Sequence, residues 1–367
     1  MTDSLFGGAF AGKRVLVTGD TGFKGAWLAS WLLELGAEVS GLALEPDTDP
    51  ALFDELGLAH SIDHTTGDIR NTQVVDDVMA RVRPEVLLHL AAQPLVRRSY
   101  AEPVYTFATN VMGTANVLEA ARRSDSLGAV VVITTDKVYR NNESGAAFAE
   151  DDPLGGRDPY SASKAAAEIV ASSYRDSFLA QAGIPMATAR AGNVIGGGDW
   201  AQDRIVPDCV RALAAGRTIE VRNPASLRPW QHVLEPLSGY LWLAALMLQG
   251  DDRASSAFNF GPEPESSRTV GELADRLVAA WGSGAWAQPE LTAQPHEAAL
   301  LRLDISRAEE QLAWHPLWGF GDAVDRTTQW YRRLQQDGAS PAELTAADIA
   351  AYVTAARGAS VAWAVGK

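Results

Sequence analysis

Three glycines in the segment Gly19-Asp20-Thr21-Gly22-Phe23-Lys24-Gly25 follow the spacing GxxGxxG, and the flanks decide what that spacing means. Before it runs Arg14-Val15-Leu16-Val17-Thr18, short, apolar and β-branched, as a central parallel strand requires. After it, Trp27 to Leu35 reads as a helix ended by Gly36, and Glu38 to Leu44 as the next strand. Glycines between a strand and a helix allow a tight turn and let a pyrophosphate approach the helix N-terminus, where free N–H groups and the helix dipole attract anions. The turn is therefore expected to bind a dinucleotide through Gly19, Thr21, Gly22, Phe23, Lys24 and Gly25. A P-loop is excluded, because Lys24 is followed by Gly25 and the pattern GxxxxGK with Ser or Thr is absent.

The alternation continues. Thr65 to Gly67, Val86 to Leu90, Val130 to Thr134 and Met186 to Arg190 read as strands, separated by helices such as Tyr105 to Arg122 and Tyr160 to Ala182. Asp158 can cap the latter, Pro159 suits its first turn and Gly183 ends it. Almost 190 residues of this pattern predict an α/β fold, a Rossmann-type doubly wound parallel sheet. After Gly192 the pattern breaks into shorter helices and isolated strands, including Ser256 to Phe260 and Leu300 to Asp304. We expect a dinucleotide-binding domain over 1–190 and a smaller mixed substrate-binding lobe over 191–340, with some segments returning to the first domain. A late helix from Ser340-Pro341 to about Ala356 and a weakly ordered tail complete 341–367.

Forty-six acidic against thirty-one basic residues, a net charge of −15, repel a phosphate backbone, so nucleic acid is not an expected partner. The single cysteine, Cys209, cannot form an intrachain disulfide, which fits a reducing, cytoplasmic setting. Neither a secretory signal nor a membrane span is expected. No basic residue precedes Lys13, and the apolar run Pro236 to Leu248 is too short to cross a bilayer and reads as a buried helix.

Two further motifs carry chemistry. In Tyr160-Ser161-Ala162-Ser163-Lys164 the phenol and the ammonium stand one helical turn apart on one face. With five lysines and eight tyrosines in the chain, chance rarely supplies that spacing. A phenol with a pKa near 10 is a poor base at neutral pH, and a neighbouring ammonium favours its ionised form. The strand Val131-Val132-Ile133-Thr134 releases Thr135, Asp136 and Lys137 at its carboxyl end, the edge where open α/β sheets bind ligands. Asp68-Ile69, after another strand, is set to meet an adenine. The position expected to hold an acid for the adenosine ribose carries Ala43, with Glu45 two residues later, so Glu45 disfavours a 2′-phosphate only if it points inward. His60 and His64 lack further ligands, and no metal site is expected. His89 reads as structural and Trp27 and Trp31 as core, whereas His232, beside Arg228 and Trp230, serves either a substrate or the interior.

Together the glycine turn, Thr135-Asp136-Lys137 and Tyr160 to Lys164 resemble the extended short-chain dehydrogenase/reductase family. Three blocks narrow the resemblance to its CDP-glucose 4,6-dehydratases: Ala91-Ala92-Gln93-Pro94-Leu95-Val96-Arg97, the loop Arg190 to Trp200, and Arg228-Pro229-Trp230-Gln231-His232-Val233 with Leu234 to Leu237. TDP-glucose dehydratases are similar but carry Thr-Asp-Glu in place of Thr135-Asp136-Lys137, and Asp20 departs from the His usual in the CDP-glucose group. The resemblance implies NAD as cofactor, touched also by Ala91, Ala92 and Gln93, and CDP-glucose as substrate, met by Asn193, Arg204, Arg228 and His232. It implies that Tyr160, with Thr135 and Lys164, deprotonates the C4 hydroxyl, that Asp136 is the acid at C6, and that Lys137 is the base at C5 or stabilises the enolate. It also implies a homodimer or homotetramer joined through Tyr105 to Arg122 and Tyr160 to Ala182. A different nucleotide-sugar dehydratase or an epimerase of the same fold, which needs no Asp136-Lys137 elimination pair, and a non-catalytic NAD-binding protein are the alternatives.

Overall fold

A computed structural model describes residues 5–141, 145–289 and 301–366. Seven strands, all parallel, form the central sheet: β1 (Arg14–Thr18), β2 (Glu38–Ala43), β3 (Asp63–Thr66), β4 (Val86–His89), β5 (Ala129–Ile133), β6 (Met186–Arg190) and β7 (Ala257–Asn259). Their order is β7-β6-β5-β4-β1-β2-β3. The chain leaves β1 toward one edge and returns through β4 toward the other, so a crevice opens where the order reverses, outside the strands' carboxyl ends. The strands β1, β4 and β5 are buried on both faces, which explains why they read as unbroken apolar runs.

Helices cover both faces. On one side α2 (Thr72–Val82) and α3 (Thr114–Arg122) pack on Leu16, Leu87 and Val130. On the other lie α1 (Phe23–Glu34) and, from far along the chain, α5 (Leu234–Leu248), whereas α4 (Pro159–Tyr174), between them in sequence, packs beside α3 on the first face through Ala171. Trp27 and Trp31 are fully buried in α1, and α5 is buried on every face because strand and helix surround it. α4 is capped as expected: Asp158 accepts from Ser161 N at 2.9 Å, Pro159 follows it, and Gly183, at φ 70°, ends the segment. The helix expected over Tyr105 to Arg122 begins at Pro103 and widens into a π-helical turn over Ala108–Gly113 before α3.

Beyond β6, helix Val270–Trp281 packs against helices Ile205–Ala214 and Phe320–Arg332, and the last of these covers the two-stranded pair Val194–Ile195 with Gln231–His232. Two expectations are corrected. Leu301 to Asp304 form no strand: Leu303 makes a single bridge to Phe148, and Leu300 lies outside the described residues. Nor is the tail loose. After α6 (Pro341–Gly358) a short helix, Ala362–Val365, buries Trp363 against Phe6 at 4.9 Å between ring centroids and against Tyr352 at 5.8 Å. Stacking on these rings holds the end of the chain. No described helix is long and apolar enough to cross a membrane.

Candidate active site

The crevice at the carboxyl ends of β1, β4, β5 and β6 is a cavity of about 950 Å³, enough for ligands of cofactor and nucleotide-sugar size. It is lined by Gly19, Thr21, Gly22, Phe23, Lys24 and Gly25, by Asp68, Ile69, Ala91, Ala92 and Gln93, by Thr135, Asp136, Lys137, Tyr160 and Lys164, and by Asn193, Arg204 and Arg228.

The turn is shaped for an anion. Gly19 has φ 79°, and a Cβ on Gly25 would lie 2.1 Å from the Gly19 carbonyl oxygen, so side chains are excluded where the strand closes on the helix. Gly22 caps α1 without a side chain, leaving the first N–H groups of the helix for a ligand. Asp20 lies buried beneath the turn with Oδ2 2.7 Å from His64 Nδ1, in space kept by Gly41. Burial pushes the Asp20 carboxyl up while His64 pulls it down. The other nitrogen of His64 meets Thr66 Oγ1 at 3.3 Å, and Thr66 donates to Glu45 at 3.0 Å on the cavity rim. Asp68 spends its carboxylate on Arg70, 2.9 Å away, which holds it below the usual carboxylate range.

At the other end of the cavity, Thr135 Oγ1 donates to Asp136 Oδ1 at 2.9 Å, and Asn193 Nδ2 donates to Asp136 Oδ2 at 3.1 Å. A Cβ on Gly192 would lie 2.0 Å from Asp136 Cγ, so glycine there makes room for the carboxyl, and Asn193 takes a left-handed backbone (φ 52°) to reach it. Burial pushes the Tyr160 phenol up to about 12, a shift eased by its hydrogen bond to Thr135, reinforced by Asp136 and eased again by Arg204. Lys164 Nζ donates to the Ile133 carbonyl at 2.9 Å, and burial lowers it to about 8 against the pull of Glu168. The groups that favour the ionised phenol are therefore Thr135 and Arg204, whereas the expected ammonium of Lys164 is engaged by the Ile133 carbonyl. Arg204 itself is held by Asp199 at 2.8 Å.

His232 is corrected. It is fully buried outside the cavity lining, edge-on to Trp27 and Trp318, with burial and Arg326 lowering it to about 3. Two aromatic neighbours close it off from any substrate. His89 is likewise interior, neutral between Thr18 and Thr114.

Sequence reading passed over Asn110. On the π-turn, its side chain accepts from Gln93 N at 2.8 Å and donates to the Gln93 carbonyl at 3.1 Å and Ser163 Oγ at 2.8 Å, tying the cofactor-side loop to the helix of Tyr160 and Lys164. A π-turn, frequent at functional sites, leaves no simple sequence signal. Arg97 and Arg222, both reaching Asp203 from the cavity wall, were also passed over.

A family model described as GDP-mannose 4,6 dehydratase matches residues 16–327. The chain belongs to that family. Within the dehydratase family it is similar to the CDP-glucose 4,6-dehydratase of Salmonella typhimurium, 47% identical over 326 residues that cover 88% of this chain and 91% of the relative. A dTDP-glucose 4,6-dehydratase of Streptomyces antibioticus is 30% identical over 87% of this chain and 92% of the relative. The solved dTDP-glucose 4,6-dehydratase of Streptomyces venezuelae, with NAD bound, superposes with a TM-score of 0.75 at 27% identity, covering 87% of this chain and 97% of that one. The Thermus thermophilus UDP-glucose 4-epimerase, in complex with NAD, does so at 0.74 and 26%, covering 87% and 99%.

Proposed function

We propose that the protein is a hydro-lyase that converts CDP-glucose to CDP-4-dehydro-6-deoxyglucose with NAD as a cofactor that is regenerated in each turnover. The observation that carries this reading is the Asp136 carboxyl held between Thr135 and Asn193 beside the Tyr160 phenol, a redox group and an elimination group facing one cavity.

The uncapped start of α1 and the glycine turn suit the pyrophosphate of NAD, and Asp68, Ile69, Ala91, Ala92 and Gln93 line the remainder of its path. When bound, NAD takes a hydride from C4 of the sugar and returns it to C6. Tyr160 removes the C4 hydroxyl proton, with Thr135 hydrogen-bonded to the same group and Lys164 beside it. The resulting ketone acidifies the C5 hydrogen, which we assign to Lys137. Asp136 gives its proton to the departing C6 hydroxyl, which leaves as water, and the proton returned to C5 completes the product. Asn193, Arg204 and Arg228 are the proposed contacts to the substrate, and the 191–340 lobe is its platform.

An epimerase needs the Tyr160 half of this site but leaves the Asp136-Lys137 half idle. Incubation with CDP-glucose decides between them. A 4-keto, 6-deoxy product is expected without net consumption of added NAD, and recovery of an epimerised sugar nucleotide alone would overturn the assignment. CDP-glucose is further expected to outcompete UDP- and TDP-glucose in kcat/KM.

Apolar side chains stand exposed on the segment 103–122 and on α4 with its continuation: Val104 at 80%, Met112 at 57%, Ile169 at 60% and Phe178 at 43%. They support a homodimer through these helices. Sedimentation of the holoenzyme tests it. The cell compartment proposed is the cytoplasm, on the strength of the lone buried Cys209 thiol.

A further inference from the structure

The glycine turn also carries a charge that the dehydration steps leave unused. Lys24 stands in the first turn of α1, and its side chain enters the cavity wall, where Nζ lies 3.5 Å from Tyr240 Oη and 5.9 Å from the centre of that ring. Tyr240, on α5, is fully buried. No carboxylate of the described residues forms an ion pair with Lys24, although the cavity confines it. An ammonium confined without a counter-ion costs stability. The charged groups that reach it are Arg204, Asp136 and Lys164. These are the groups of the chemical end of the cavity. The pyrophosphate belongs at the turn's N–H groups, and the hydride-accepting ring must lie near Tyr160, which takes the C4 hydroxyl proton. Lys24, rooted in the turn, lines the same cavity as Asp136 and Lys164 and feels their charges, which puts it at the ring's end of the cofactor.

A fixed cation there acts unequally on the two forms of the cofactor. The oxidised nicotinamide ring carries a positive charge and the reduced ring is neutral, so an ammonium nearby opposes only the oxidised form. We propose that Lys24 raises the hydride affinity of the bound cofactor, making C4 oxidation of the sugar more favourable. The step it assists breaks the C4–H bond, moves that hydrogen with its electron pair to the ring and leaves the hydroxyl proton on Tyr160; Lys24 keeps its own proton throughout. Burial first, then Arg204 and Lys164, lower Lys24 to about 8 against the pull of Asp136, so it remains mainly protonated at pH 7. Among the described residues Tyr240 Oη is the one side-chain group within hydrogen-bonding reach, and a neutral phenol leaves the charge uncompensated.

The inference rests on the reading of the cavity as an NAD site, and its test needs no sugar turnover. Dissociation constants of NAD+ and NADH are measured at pH 7 for the parent protein and for Lys24→Met, Lys24→Gln and Lys24→Arg. Removing the charge with either neutral side chain is expected to lower the ratio Kd(NAD+)/Kd(NADH) about tenfold, which is a fall of about 30 mV in the potential of the bound two-electron couple. Lys24→Arg is expected to keep the parent ratio. A side chain that only packs against Tyr240 would weaken both forms alike, so an unchanged ratio in Lys24→Met and Lys24→Gln overturns the proposal. Failure of the parent to bind either form would instead overturn the NAD reading, and the proposal with it.

Discussion

Lys164 Nζ donates to the main-chain carbonyl of Ile133 at 2.9 Å, joining the helix that carries Tyr160 to the end of the strand that releases Thr135 and Asp136. Both halves of the proposed chemistry are thereby registered through one buried ammonium. Lys164→Met should lower kcat with CDP-glucose by on the order of 10² or more, since the tie that positions Tyr160 against Thr135 and Asp136 is lost. Lys164→Arg should not rescue it, because a guanidinium is too broad for a site built around one carbonyl. Steady-state turnover with bound NAD checks both.

The redox and elimination halves separate by mutation. If Asp136 protonates the departing C6 hydroxyl, Asp136→Asn leaves C4 oxidation intact and slows elimination by on the order of 10² to 10⁴. NADH should then accumulate on the enzyme. Tyr160→Phe should show little NADH. Single-turnover absorbance after mixing with CDP-glucose reads both, and the reverse pattern would show the roles to be misassigned.

Beneath the site, Arg190 and Glu168 form a buried pair at 2.8 Å, with side chains 4% and 2% exposed. Arg190 also donates to Tyr139 Oη and the Glu150 carbonyl, and Glu168 accepts from Thr134 and Thr188. Arg190→Met would strand the Glu168 charge inside the protein. A loss of roughly 3–5 kcal/mol is expected in denaturant unfolding, with Arg190→Met/Glu168→Leu recovering part of it.

Glu235 gives a pH dependence of stability. Its carboxyl, fully buried, accepts from Trp318 N at 2.7 Å and Tyr352 Oη at 2.8 Å, yet burial outweighs these bonds and pushes it up to about 7. The folded state therefore holds its proton more tightly than the unfolded chain, whose value is 4.5. The stabilisation is complete below that value and is lost as pH rises through about 7. Glu235→Gln should flatten this fall, with stability at pH 8 gained by at most about 3 kcal/mol. Urea midpoints at pH 5 and pH 8 for parent and variant measure it.

Local chemistry is legible in the residues alone. A β-branched run followed by GxxGxxG must turn tightly onto a helix, Asp158-Pro159 must start one, and a Tyr and a Lys four residues apart on a helix must share a face. Alternation of such units leads to a doubly wound parallel sheet, and the sheet brings Thr135, Tyr160 and the glycine turn to one edge although about 140 residues of chain connect them. Tertiary structure alone decided the contacts between distant segments. His232 was ambiguous because a histidine beside an arginine reads alike at a surface and in a core, until Trp27 and Trp318 closed on it. The tail looked loose because nothing within it supplies a core; Phe6 and Tyr352, from the other end and from α6, do. Asn110 gave no signal, since its partners Gln93 and Ser163 meet only when two helices pack around a loop. Local pattern fixes which way a chain turns, whereas burial and the pairing of buried polar groups depend on what the rest of the chain brings to the same place.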